Sequence, residues 1–238
     1  GSLPQIFSPN LDIIAVRCAT NEYGKENADG IRFIDNQRID GTLSNMLQQA
    51  LSFVQNNTKK STFVNPMTGK REDKTEYPIK ALREIILNAI IHRDYSIYTE
   101  NDPIRIEIYD NRIEISNPGT PLISIDRFID HNPISRNEKL ASIMRRFKIC
   151  EEKGSGIDKV IKSVELYQLP APNFLEYDNG TKVILYSYKQ LSEMDRDDKL
   201  RACYQHACLQ YVSGEKMTNE SLRTRFNIEK KNAAIASR

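Results

Sequence analysis

Three polar side chains recur at four-residue spacing within an otherwise apolar stretch, residues 77–95. Because Glu84, Asn88 and His92 are four residues apart, a helix places all three on one face. Their neighbours are mostly Leu, Ile and Ala, and a helix that is apolar nearly all round is normally buried. A buried carboxylate or amide is costly unless a ligand, a metal or a hydrogen-bond network satisfies it. The spacing therefore predicts either a ligand site or a structural polar network between this helix and a sheet.

Two other kinds of site lack the residues that they need. A helicase motor requires a phosphate-binding loop of the form G-x-x-x-x-G-K-[ST], and the Gly-Lys pairs that begin at Gly24 and Gly69 do not fit it. Cys203, His206 and Cys208 are close together, but no second ligand pair follows at zinc-finger spacing. We therefore expect neither a Walker-type helicase nor a zinc site.

Hydrophobic periodicity predicts the elements that must position the polar helix. Strands are predicted at residues 11–18, 31–34, 62–64, 71–76, 104–109, 112–116 and 182–188, and helices at 43–54, 77–95, 136–147, 157–167, 200–212, 218–225 and from Lys230. Residues 104–116 have the pattern of a β-hairpin, with Asp110-Asn111 at its turn. Helices and antiparallel strands in this order predict an α+β fold, a two-layer sandwich.

Polar, charged stretches divide the chain into three predicted domains, residues 3–58, 61–190 and 195–238. The first is too small to bury a core of its own, so it must pack on the next domain or on an upstream part. The chain opens with Gly1-Ser2 rather than Met, and we expect the native protein to extend in the N-terminal direction.

Three motifs carry a family resemblance. ALREIILNAIIHRDYS, IEIYDNRIEISNPG and EEKGSGI occur in this order in the chain. They resemble the N-box and the two glycine boxes of GHKL ATPases and, more narrowly, bacterial RecG-helicase-related transcriptional regulators. In those proteins a Schlafen/AlbA-type DNA-binding domain precedes a GHKL-like domain, and a winged helix follows. The resemblance covers roughly residues 10–190. It implies that residues 3–58 are the C-terminal part of an AlbA-type domain.

The resemblance also implies a nucleotide site. Glu84 matches the catalytic carboxylate of the N-box, and Asn88 matches the residue that ligates magnesium. The first glycine box falls at Asn117 to Pro121 and includes Gly119, and it departs from the family pattern because Asn117 replaces a carboxylate and Pro121 replaces a glycine. The second glycine box supplies two further nucleotide-binding candidates, which are Gly154 and Gly156. The possible cofactors are ATP and magnesium, and we expect no metal beyond magnesium at Asn88.

The C-terminal stretch is the strongest indication of a nucleic-acid partner. Residues 213–238 carry six basic and three acidic side chains, whereas the net charge of the whole chain is only +2. The short helices there have the spacing of a helix-turn-helix, which places its second helix in the DNA major groove. The alternative is a charged, solvated helix that serves only oligomer contacts. The predicted DNA-binding residues are Arg223, Arg225, Lys230, Lys231 and Asn232.

These observations predict a DNA-binding transcriptional regulator that contains a degenerate GHKL-like domain. We expect a binding protein rather than an enzyme, and the alternative is a GHKL-type ATP hydrolase that acts with DNA. The partners would be DNA and a second copy in a homodimer. Four cysteines without a paired framework favour a reducing, cytoplasmic setting. No apolar run reaches membrane-spanning length, and no signal peptide is recognisable, so we expect no membrane association.

Overall fold

The computed structural model describes residues 4–6, 11–64, 71–132, 134–150 and 156–237. Its strands are β1 (Ile13–Cys18), β2 (Phe33–Ile39), β3 (Lys60–Val64), β4 (Arg71–Thr75), β5 (Ile104–Ile108), β6 (Arg112–Pro118), β7 (Asn173–Tyr177) and β8 (Gly180–Tyr186). Its α-helices are α1 (Leu43–Asn56), α2 (Ile79–His92), α3 (Glu138–Arg146), α4 (Gly156–Leu166), α5 (Arg196–Val212) and α6 (Asn219–Arg225). Short 3-10 segments lie at Pro4–Ile6, Ile97–Thr99, Ile125–Arg127 and Lys230–Ser237.

The main sheet has six strands in the order β2-β1-β5-β6-β8-β7. Strand β1 runs parallel to β5, and the other neighbouring strands are antiparallel. The predicted hairpin is confirmed as β5–β6, with Ile106 opposite Ile115. Strands β3 and β4 form a separate two-stranded sheet. The α+β prediction is confirmed, and this mixed sheet with its helices is compatible with a GHKL-like sandwich.

Helix α2 lies at the centre of the core. It packs against α1, α4 and strand β6, and its Leu82, Ile86 and Ile90 are almost completely buried. The apolar spacing explains this position, because such a helix has apolar surface to bury on more than one side. Helix α2 begins after Pro78, whose backbone is extended (φ −66°, ψ 120°).

Strands β1 and β2 and helix α1 share this sheet and core. Ile13 of β1 and Met46 of α1 belong to the same buried cluster as α2, so the packing partner of this part is the segment that follows it. The predicted strand at residues 31–34 is shifted, because the observed strand is Phe33–Ile39. Ile34 is 61% exposed on this edge strand, so its apolar side chain did not mark a buried position. The AlbA-type assignment of residues 3–58 stays a prediction.

The C-terminal helices dock on the sandwich through α5, which packs against α4. Helix α6 begins at a capping box, in which the Thr218 hydroxyl accepts from the Ser221 N–H and the Ser221 hydroxyl accepts from the Thr218 N–H (both 3.0 Å). The prediction of a regular third helix is corrected. A 3-10 segment begins at Lys230, and the backbone of Asn232 (φ −105°, ψ 22°) departs from helical geometry. Among the described helices, none has the length and apolar character needed to cross a membrane.

Candidate functional site

One cavity of about 510 Å³ lies between α2, α3, α4 and the ends of β6 and β8. It is lined by five of the residues predicted from the sequence, which are Glu84, Asn88, Asn117, Gly119 and Gly156. The remaining predicted nucleotide-binding residue, Gly154, lies outside the described residues. Because these residues come from four separate elements or turns, the fold and not the local sequence brings them together.

The polar stripe of α2 faces this cavity. Glu84, Asn88 and His92 all line it and are half-buried. Burial raises the pKa of Glu84, and nearby Lys159, Asn88 and Arg83 limit the rise. A carboxyl group of this kind can hold or release a proton closer to neutral pH than an exposed one.

The first residue of α4 contacts the Glu84 carboxylate. A Cβ atom added at Gly156 would collide with Glu84 Oε1 and lie 3.1 Å from Glu84 Cδ. Only glycine leaves room for this close approach. The amino end of a helix attracts negative charge through its free N–H groups and its dipole. In this structure Glu84 lies at that anion-attracting position.

The turn after β6 forms another side of the cavity and requires glycine. Gly119 has φ +113°, and its N–H donates to the Asn179 carbonyl oxygen (2.9 Å). The Thr181 hydroxyl in turn donates to the Gly119 carbonyl oxygen (2.7 Å). The buried Asn117 donates its amide N–H to the Pro118 carbonyl oxygen (3.2 Å), so its amide oxygen is the group left to accept from a ligand.

Arg136 links this turn to the end of α2. Its guanidinium donates to the carbonyl oxygens of His92 (Nε, 3.1 Å) and Thr120 (Nη2, 2.5 Å). Burial, followed by the charge of Arg136, lowers the pKa of His92, so this imidazole is neutral at neutral pH. The adjacent Asn137 donates to the carbonyl oxygens of Ile91 (2.7 Å) and Arg93 (2.8 Å). These two residues hold the cavity wall against the carboxyl end of α2.

Sequence reasoning missed the functional position of Arg136 and Lys159. The sequence places Arg136 only at the start of a predicted helix, whereas in the structure it lines the cavity and donates to two backbone carbonyl oxygens. Lys159 lies in the first turn of α4, three residues after Gly156, and also lines the cavity. Lys159 could have been identified from its position in the first turn after the second glycine box. A lysine at that position lies beside any ligand bound at the amino end of the helix.

The residues present fit a nucleotide with magnesium. The cavity volume falls within the roughly 300–1,000 Å³ of ordinary small-molecule sites, and its walls combine apolar Ile115 and Val183 with cationic Lys159. The Ser135 hydroxyl on the wall is buried and has no hydrogen-bond partner among the described residues. A buried hydroxyl of this kind normally has a hydrogen-bond partner, either another protein group, an ordered water or a ligand.

The described residues contain no group of three or more His, Cys, Asp or Glu side chains placed to hold a metal ion. Magnesium does not require such a group, because Mg²⁺ is commonly held by one or two protein groups together with ligand phosphates and water. Asn88 would be the protein group.

The predicted DNA-binding residues fall into two sets. Lys230, Lys231 and Asn232 are exposed, and Arg223 is half-buried with its Nε donating to Asn219 (2.9 Å). The Arg225 side chain is only 1% exposed, so the structure leaves it out of any surface that DNA could reach. Arg225 instead donates to the Leu169 carbonyl oxygen (2.8 Å), and its Nε lies 3.3 Å from Glu165.

Comparisons with known proteins concern one segment of the chain and its fold. Residues 101–185 match the family described as "Putative ATP-dependent DNA helicase recG C-terminal". This segment contains Asn117, Gly119 and Gly156 but not Glu84 or Asn88. The match and the mixed sheet together support a RecG-related, GHKL-like domain.

The fold is similar to that of the DIP2311 protein from Corynebacterium diphtheriae, with a TM-score of 0.65 and 18% sequence identity. That similarity covers 97% of this chain and 47% of the other, so the chain spans about half the length of this relative. At this identity the similarity concerns the fold alone. No curated protein matches the chain.

Proposed function

We propose that this chain is part of a DNA-binding transcriptional regulator whose GHKL-like domain binds a nucleoside triphosphate with magnesium. The observation that carries the nucleotide part is the convergence of Glu84, Asn88, Asn117, Gly119 and Gly156 on one cavity. The match of residues 101–185 to the RecG-related family supports both the nucleotide part and the association with DNA.

Each residue has a distinct role in this proposal. The Asn88 amide oxygen holds magnesium, and Lys159 with the N–H groups at the start of α4 binds the phosphates. The amide oxygen of Asn117 accepts from an amino group of the base, more weakly than a carboxylate would. When bound, the nucleotide would supply the phosphoryl group, and magnesium would neutralise the negative charge of its phosphates. Arg136 holds the wall of the cavity closed against α2.

Hydrolysis of the nucleotide is a second candidate function. It is favoured by the position of Glu84, a half-buried carboxylate with a raised pKa that faces the cavity beside Asn88. A carboxylate in this position can take a proton from a nucleophile within hydrogen-bond reach. Release of inorganic phosphate by the wild type but not by Glu84→Gln would establish this activity.

Thermal unfolding with and without ATP and magnesium tests nucleotide binding. A ligand of the folded state at about 100 times its Kd stabilises the protein by about 2.7 kcal/mol, so the Tm should rise. Asn88→Ala should lose most of the magnesium-dependent rise. Asn45→Ala, which replaces an exposed residue of α1, is the matched control and should keep the full rise. The absence of any shift in the wild type would rule out the nucleotide proposal.

Fluorescence anisotropy with a labelled duplex at several salt concentrations tests DNA binding. Phosphate contacts by lysine make affinity fall steeply with salt, with a slope close to the number of contacts. Lys230→Ala/Lys231→Ala should weaken binding and reduce that slope. Lys59→Ala/Lys60→Ala removes the same charge from exposed positions on the sandwich and should change little. Binding that does not respond to salt would argue against DNA as the partner.

A further inference from the structure

The segment that forms one wall of the cavity also contacts helix α5. We define residues 120–132 as the wall segment. Its Phe128 and His131 line the cavity, whereas its Ile129 is buried against Ile161 of α4 and Leu209 of α5. This short segment therefore has the cavity on one side and the C-terminal helices on the other.

A hydrogen bond reinforces this contact. The Tyr204 hydroxyl of α5 donates to the carbonyl oxygen of Asp126 in the wall segment (2.8 Å). Tyr204 is 47% exposed, so the hydroxyl, and not burial of the side chain, makes the specific connection.

Helix α4 makes a second connection between the same two regions. Its first residue, Gly156, contacts Glu84 in the cavity. Its last turn carries Glu165, whose carboxylate lies 3.1 Å from His206 Nδ1 of α5 and 3.3 Å from Arg225 Nε of α6. A regular helix transmits displacement between its ends because its hydrogen bonds hold it as one rigid unit.

The C-terminal helices are themselves joined into one body. His206 Nε2 of α5 is hydrogen-bonded to the Ser221 hydroxyl of α6 (3.1 Å). Gln205 of α5 donates to the Pro172 carbonyl oxygen (2.7 Å), which ties the same body to the strand side of the sandwich. A change in the stability of the wall segment or of α4 therefore changes the stability of α5 and α6 together.

We infer that occupancy of the cavity is coupled to the docking of α5 and α6, so that the nucleotide controls the DNA-binding part of the chain. This inference rests on the proposed nucleotide function. A ligand that contacts Phe128, His131 and the start of α4 restrains both elements on which α5 rests. The docked position of α5 is then more stable relative to the undocked position. By linkage, a partner that binds the docked helices more tightly raises the affinity for the nucleotide by the same factor.

Hydrogen–deuterium exchange of the full chain, with and without ATP and magnesium, tests this coupling without requiring a DNA sequence. Local opening determines exchange, so restrained elements exchange more slowly. We expect slower exchange in α2 and the first turn of α4, which contact the ligand. We also expect α5 to slow by about fivefold, the lower end of ordinary coupling between sites. Strand β2, at the far edge of the sheet, should be unchanged.

Tyr204→Phe removes only the hydroxyl that reaches Asp126. It should reduce the slowing in α5 and leave the slowing in α2 intact. Tyr211→Phe is the matched control, because it removes a hydroxyl from the same helix at a side chain that is 77% exposed. It should behave as the wild type.

The outcomes separate the two proposals. Slowing in α2 without slowing in α5 overturns the coupling and leaves nucleotide binding established. No slowing in any element overturns both. Equal slowing in β2 would show general stabilisation of the fold and would overturn the inference. Equal α5 slowing in Tyr204→Phe and wild type would overturn the route through the wall segment and leave α4, through Glu165, as the coupling element.

Discussion

Arg225→Met removes a buried cation from the contact between α6 and the sandwich. The sequence pattern places Arg225 among the DNA-binding residues, whereas the structure places it against Glu165 and the Leu169 carbonyl oxygen. Methionine retains most of the side-chain volume and loses the charge and the hydrogen bonds. The substitution therefore distinguishes a structural from a DNA-contacting arginine.

The expected cost follows from the environment of Glu165. Removing one partner of a buried ion pair costs about 3–5 kcal/mol, because the other charge is left uncompensated. Glu165 is 15% exposed and keeps His206 as a neighbour, so the lower end, about 3 kcal/mol, applies. A protein of this size loses about 2–4 °C of Tm per kcal/mol, so the Tm should fall by roughly 6–12 °C.

Urea unfolding followed by circular dichroism measures this loss. Arg223→Met is the matched control, because Arg223 lies on the same helix, is half-buried and donates to Asn219 of that helix. It should change the free energy of unfolding by less than about 1 kcal/mol. Glu165→Gln/Arg225→Met should be more stable than the sum of the single substitutions predicts, because the residues interact directly.

The reasoning would be refuted if Arg225→Met and Arg223→Met had equal stability. The refutation would be complete if Arg225→Met also reduced the salt dependence of DNA binding as Lys230→Ala/Lys231→Ala is expected to do. In that event the Arg225 side chain would lie on the surface, as the sequence pattern indicates.

Two further substitutions probe the cavity. Glu84→Gln should raise the free energy of unfolding of the ligand-free protein at neutral pH but not below pH 4.5, the ordinary pKa of a glutamate. Burial raises the folded-state pKa of Glu84, so the neutral carboxyl group stabilises the fold. That stabilisation is lost as the pH rises through the folded-state pKa. An equal change in the free energy of unfolding at both pH values would contradict this. Gly156→Ala should weaken ATP binding with little change in Tm, because the new methyl group displaces the flexible end of Glu84 and separates it from Asn88. Calorimetric titration measures the affinity.

Several features of the fold could be predicted from local patterns. The spacing of apolar residues predicts α2 and its polar stripe, and the alternation around Asp110-Asn111 predicts the β5–β6 hairpin. Both predictions succeed because burial on one face of a helix or strand requires a regular repeat. The position of β2 is less predictable, since an edge strand buries little and its sequence lacks the alternation.

The functional site could likewise be predicted only in part. The sequence by itself determined which residues could do chemistry, because Glu84 and Asn88 share one helical face and Gly156 precedes a helix whatever they pack against. Only the tertiary structure decided that these groups meet at one cavity with Arg136 and Lys159. It also decided that Arg225 is buried against Glu165, whereas its neighbour Arg223 stays half-buried at the surface. The physical reason is that helical and strand spacing depend on neighbouring residues, whereas burial and ion pairing depend on which distant surfaces the folded chain brings into contact.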